Sequence, residues 1–99
     1  MENKQLIINK ISEEFGVDNR FYNNGSRLRK YTYPRKALCI ILRKYESMNL
    51  QGIAELLGLI SHTSVIYHIW DGEGMYSTLD LFKDKMDRIY NYANQIYYK

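Results

Sequence analysis

The sequence predicts an all-α protein, a compact bundle of five to six helices, and three observations lead there. Apolar residues recur at intervals of three and four along most of the chain, the spacing that lines one face of a helix. Glycines or the single proline stand where such stretches would start or stop. Hydrophobic residues make up 45% of the 99 residues, the ordinary globular share, on a length that supports one domain over residues 1–99. A chain of this size buries about two-thirds of its extended surface on folding.

Leu6, Ile7, Ile8, Ile11 and Phe15 predict a first helix over residues 3–15, and Gly16 follows where a left-handed residue would stop it. Residues 17–22 read as a short helical turn, and Asn23-Asn24-Gly25-Ser26 as a loop. Pro34 suits the first turn of a second helix, where its missing N–H would have no partner anyway. That helix runs to about Tyr45, with Ala37, Leu38, Ile41 and Leu42 facing the core. Asn49 can cap a short third helix whose buried stripe is Leu50, Ile53, Ala54 and Leu57, and Gly58 ends it. Ser61 can cap a fourth, from His62 to about Trp70, because its hydroxyl can accept from the free amides of the first turn. Gly72 and Gly74 read as a break, and Ser77 or Thr78 as the cap of a last helix. There Leu79, Phe82, Met86, Ile89, Ala93 and Ile96 form an apolar stripe over about five turns.

Several classes fall away at once. The longest uncharged apolar run, Ala37 to Leu42, is far short of the roughly 20 residues a spanning helix needs. The N-terminus mixes Glu2, Lys4 and Lys10 with apolar residues, which is not the plan of a secretory leader, so the cytoplasm is the expected compartment. Cys39 stands alone and can form neither an internal disulfide nor, by itself, a zinc site. His62 and His68 are six apart, about 120° off a common helix face, so no metal and no cofactor is expected. Ser61 or Ser64 with His62 lacks an orienting acid, and neighbours on a helix point apart; no enzyme site is expected. Asp80, Asp84 and Asp87 read as a solvated face of the last helix.

The formal net charge of +3 conceals a strong asymmetry. Between Arg20 and Lys44 stand eight cations (Arg20, Arg27, Arg29, Lys30, Arg35, Lys36, Arg43 and Lys44) and no acid, whereas the remainder carries a balance of −5. A one-signed stretch is the electrostatic footprint of a polyanion partner, because a merely solvated surface mixes signs. Tyr31 and Tyr33, interleaved with these cations, either stack on bases or pack the loop on the body, and packing is favoured.

The short third helix, its glycine turn and the serine-headed fourth helix have the proportions of a helix-turn-helix. On a helical wheel Val65, Ile66, Ile69 and Trp70 share one arc, and Thr63, Ser64, Tyr67 and His68 take the other. In a recognition helix the outer arc meets base edges and phosphates, with the N-terminal residues closest. His62 lies near the apolar arc by angle, so a place at the core edge stands beside a DNA contact.

Four segments, in order, sharpen this: Ser26-Arg27-Leu28-Arg29, Pro34-Arg35-Lys36-Ala37, Leu50-Gln51-Gly52-Ile53-Ala54-Glu55-Leu56-Leu57-Gly58, and His62-Thr63-Ser64-Val65-Ile66-Tyr67. From about Leu6 to Trp70 the chain resembles the C-terminal DNA-binding domain (domain IV) of the bacterial replication initiator DnaA. The resemblance implies a Trp-repressor-like helix-turn-helix that reads short AT-rich boxes in double-stranded DNA, in replication-origin or transcription regulation. It places the family's minor-groove arginine on Arg29 with Arg27 beside it, and its Pro-Arg pair on Pro34 and Arg35, with Lys36 adjacent. A phosphate-contacting cation falls on Arg43, and the His-Thr-Thr triplet on His62, Thr63 and Ser64. Lys30, Ser61 and Tyr67 complete the expected DNA-binding set. With about six to eight phosphate-facing cations, affinity should fall with salt at a log-log slope on the order of −5 to −7.

Departures accompany the matches. Where the family carries Gly-Arg-Asp this chain has Leu59-Ile60-Ser61, so capping survives while the same base preference is not expected. No GxxxxGK[ST] occurs, so a DNA reader without the ATPase motor is expected. The alternative is a protein-interaction module of phage or plasmid type that keeps the fold and binds DNA weakly and without regard to sequence. Tyr90, Tyr92, Tyr97 and Tyr98 crowd the last helix; either Tyr90 and Tyr97 extend its core stripe, or this end forms a homodimer or partner interface.

Overall fold

A computed structural model describes residues 2–59 and 61–98, and the described residues form five α-helices and no strand. These are α1 (Asn3–Phe15), α2 (Arg29–Tyr45), α3 (Leu50–Leu57), α4 (His62–Thr78) and α5 (Asp80–Tyr97). The all-α expectation holds. α2 is the hub: it packs against each of the other four, while α1 lies on α5 and α4 bridges α3 and α5. Residues 34–42 of α2 are buried without interruption, as befits a helix covered on every side. Ile7, Ile8, Ile11, Phe21, Ile53, Val65, Met86 and Ile89 close around it.

Three helix ends follow local chemistry as the sequence implies. Gly16 takes φ 66°, and the N–H groups of Gly16 and Val17 return to the carbonyls of Glu13 and Ser12, a left-handed cap that satisfies orphan acceptors. Asn49 Oδ1 accepts the Gly52 N–H at 2.7 Å, and Gly58 ends α3 at φ 68°.

Other boundaries differ. Residues 17–22 form a hydrogen-bonded turn anchored by buried Phe21, not a sixth helix. α2 begins at Arg29, so Pro34 is its sixth residue rather than an opener. The Leu28 carbonyl already receives Tyr31 and Thr32 N–H groups at 2.9 and 3.0 Å, so the helix is under way before the proline omits one bond. α4 runs straight through Gly72 and Gly74. Gly72 is buried where α4 crosses α2: a Cβ there would sit 2.9 Å from Ile40 Cδ1 and 3.2 Å from Lys36 Cβ. Close approach, not a chain break, requires the glycine.

Neither Ser77 nor Thr78 caps α5; their hydroxyls donate backward to the Glu73 and Gly74 carbonyls at 3.3 and 2.8 Å. Leu79 alone, extended at φ −116°, separates α4 from α5. Phe82, Met86, Ile89 and Ala93 of the expected stripe are buried, whereas Leu79 is exposed. Tyr90, Tyr97 and Tyr98 gather around Tyr45 with ring centroids 6.4, 5.5 and 5.6 Å from it, and Tyr98 is the exposed one of the four C-terminal tyrosines.

Candidate nucleic-acid interface

α3, the Gly58 turn and α4 present the start of α4 to solvent. Val65 is sunk in the core and fixes the rotation of the helix, so His62 and Thr63 stand exposed, Ser64 is half-buried, and Tyr67 projects at 66% exposure. His62 therefore belongs to the outer surface rather than the core edge. Ser61 occupies the N-cap position in extended conformation, yet its hydroxyl makes no capping bond; its carbonyl takes the Ser64 N–H at 3.2 Å. The departure at Ile60 lies outside the described residues.

The basic loop is built from the inside. Asn24 Oδ1 accepts the Ser26 N–H at 3.0 Å and Ser26 Oγ the Leu28 N–H at 3.2 Å, a pair of side-chain turns around Gly25 at φ 77°. Arg35 closes the structure: its Nε donates to the Phe21 carbonyl at 2.8 Å, and its other nitrogens donate to the Ser26 carbonyl and Asn24 Oδ1. Arg35 is only 8% exposed, and burial lowers its guanidinium below the ordinary value. Arg27, Arg29 and Lys30 stand exposed at the loop's edge and on the first turn of α2, where the helix dipole adds positive potential.

Two expected contacts are therefore spent inside the domain. Arg35 is the loop's clamp. Lys36, 7% exposed, reaches Asp71 Oδ2 at 3.3 Å and His68 Nδ1 at 3.4 Å across the α2–α4 contact. Neither was legible as internal, because the partners lie 9 to 35 residues away in sequence. Arg43 stays exposed, donating to the Met48 carbonyl at 2.9 Å. Tyr31 and Tyr33 pack on the body, Tyr33 edge-on to Phe82 at 6.2 Å.

α4 is flanked on both sides. One flank is a cleft of about 410 Å³ between the basic loop and the helix-turn-helix, where Arg27, Arg35, Gly58, Ser64 and His68 meet. The other, about 320 Å³, gathers Arg43, Leu50, Ile66, Ile69 and Trp70. Trp70, expected on the apolar arc, is 71% exposed. The longer α4 buries Val65, Gly72 and Met75, and that line turns Trp70 outward while drawing His68 in. Burial, then the charges of Lys36 and Arg35, depress the His68 imidazole to about 4.

A capped short helix, a glycine turn, a second helix with an exposed polar start, and exposed arginines on its flanks define a helix-turn-helix DNA-binding domain. Residues 4–70 match the family described as "Bacterial dnaA protein helix-turn-helix", so the chain belongs to that family. It is 33% identical over 61 residues to the chromosomal replication initiator protein DnaA of Herpetosiphon aurantiacus, covering 62% of this chain and 13% of the relative. It is 31% identical over 62 residues to the protein of that name from Synechococcus sp., covering 63% and 13%. No solved structure matches the chain. Among the described residues no helix is long and apolar enough to cross a membrane.

Proposed function

We propose that the domain binds double-stranded DNA sequence-specifically by reading two grooves at once. His62, Thr63, Ser64 and Tyr67 of α4 enter the major groove, with Ser61 at the head of the helix. Arg27 and Arg29 reach into the adjacent minor groove, whose narrow AT-rich form attracts arginine. Lys30 and Arg43 hold phosphates. The observation that carries this reading is the shared cleft: Arg27 of the loop and Ser64 of α4 line one depression, which supports two readers side by side around the α2 hub. The two relatives are named as replication initiators, and origin or transcription regulation is the role this reading assigns.

A random-oligonucleotide selection at near-physiological salt should recover an AT-rich motif. Arg29→Ala should weaken binding to it by about 1 to 3 kcal/mol, and Thr63→Ala should reduce discrimination more than bulk affinity. Wild-type binding by both variants would sink the groove assignment. The tyrosine-rich end of α5, where Tyr98 is exposed, is the surface a homodimer or protein partner would use, and a monomer mass by light scattering at high micromolar concentration would count against the homodimer. A second reading is favoured by the apolar groove of about 480 Å³ at the α4–α5 corner, where Leu81 is 77% exposed near Phe15 and Tyr33. A protein-interaction module of phage or plasmid type would use such a face, and an unenriched selection pool would support it.

A further inference from the structure

Reading two adjacent grooves imposes a condition on whatever lies between the readers. The major and minor grooves are separated by one sugar-phosphate strand, so a loop in one and a helix in the other must straddle it. The depression between Arg27 and Ser64 is where that strand would pass, and His68 forms part of its wall.

The chemistry of His68 is fixed from behind. A lysine ammonium has donors and no acceptor, so the 3.4 Å contact between Lys36 Nζ and His68 Nδ1 requires a lone pair on Nδ1. In the neutral ring the proton is then on Nε2. Asp71 holds Lys36 at 3.3 Å, and α4 carries both Asp71 and His68, so the lysine is pinned between two residues of one helix face. The ring is neutral near pH 7, since burial and the charges of Lys36 and Arg35 oppose protonation.

We infer that His68 is a DNA-contact residue, a neutral Nε2–H donor to a backbone phosphate seated in the cleft between the basic loop and α4, with Lys36 as the residue that positions it. The inference rests on the two-groove reading. It adds a contact that is neutral, and therefore a contribution to affinity that the salt dependence does not register. Arg35, which lines the same cleft, supplies positive potential without leaving its loop partners.

The test uses a duplex recovered by selection and fluorescence anisotropy, with single linkages replaced in turn by uncharged methylphosphonate. His68→Ala should weaken binding about tenfold, the usual worth of a hydrogen bond to a charged group, and leave base preference and salt slope unchanged. His68→Gln, which keeps an amide donor, should stay within about threefold of wild type. One linkage whose neutralisation weakens the wild type should have no further effect in His68→Ala. Long-range nitrogen-15 NMR should find the wild-type proton on Nε2, and Lys36→Met should mix the tautomers; circular dichroism checks that each variant is folded. Equal binding by His68→Ala and wild type, the same linkage penalties in both, or a wild-type Nδ1 proton would overturn the inference. If Arg29→Ala weakens binding while His68→Ala does not, the cleft assignment alone fails; if both are silent, or selection enriches nothing, the two-groove reading fails with it.

Discussion

Arg35 spends its charge on the protein's own loop, two backbone carbonyls and the Asn24 side chain, and that choice shapes the segment from which Arg27 projects. Its three inward hydrogen bonds tie Phe21, Asn24 and Ser26 to α2 across 9 to 14 residues of chain. Arg35→Met should therefore lower unfolding free energy by about 2 to 4 kcal/mol, because one buried and two part-buried acceptors lose a charged donor. Urea titration reads this directly, and Arg35→Lys should not rescue it, since an ammonium cannot serve the same fork. A loss below about 0.5 kcal/mol would mean the loop holds itself. His68 makes a second prediction. Its folded-state value near 4 lies below the ordinary 6.5, chiefly through burial and then Lys36 and Arg35, with Asp71 opposing. Below pH 6.5 the unfolded chain takes up a proton that the folded ring refuses, so stability should fall between pH 6.5 and about 4. His68→Gln should flatten that part of the profile in urea melts at pH 7, 5.5 and 4; parallel curves would remove the imidazole from the account. None of this follows from composition. A cation reads as surface charge until the fold supplies its partner.

At the scale of elements, the ends marked by local chemistry were legible and those set by packing were not. Gly16, Asn49 and Gly58 act through their own backbone or a neighbour three residues on, and each ends or starts a helix where the sequence implies. The start of α2 and the continuity of α4 depend on contacts with other helices. Gly72 and Gly74 separate the two cases within one helix. A Cβ at Gly74 meets nothing within 4 Å, so Gly74→Ala should stabilise by about 0.5 to 1 kcal/mol through lower backbone entropy in the unfolded chain. At Gly72 a larger side chain collides with Ile40 and Lys36, so Gly72→Leu should cost about 2 kcal/mol or more in thermal or urea melts. If both substitutions behave alike, the close α2–α4 crossing is wrong. The same crossing explains the reversal of Trp70 and His68. Extending α4 to Thr78 moves its buried line toward Gly72 and Met75, one helix face away from the arc a shorter helix would bury.

For the whole molecule, the charge asymmetry survives folding but its working fraction shrinks. The proposed DNA surface keeps four exposed cations, Arg27, Arg29, Lys30 and Arg43, once Arg35 and Lys36 are committed inward. The log-log slope of affinity against salt should accordingly be about −3 to −4 rather than −5 to −7. Anisotropy titrations from low to physiological salt measure it, and a slope near zero would remove DNA phosphates from the partner list. By itself, the sequence determined the all-α class, the helix-turn-helix and its family, and the location of the basic stretch. These reside in periodicity, caps and motif order, which are properties of neighbours along the chain. Only the tertiary structure decided which cations face outward, that His68 rather than Trp70 turns toward the core, and that the loop and α4 share one cleft. Those depend on which side chains meet across α2, and a buried charge takes the nearest acceptor the fold brings to it, however distant in sequence.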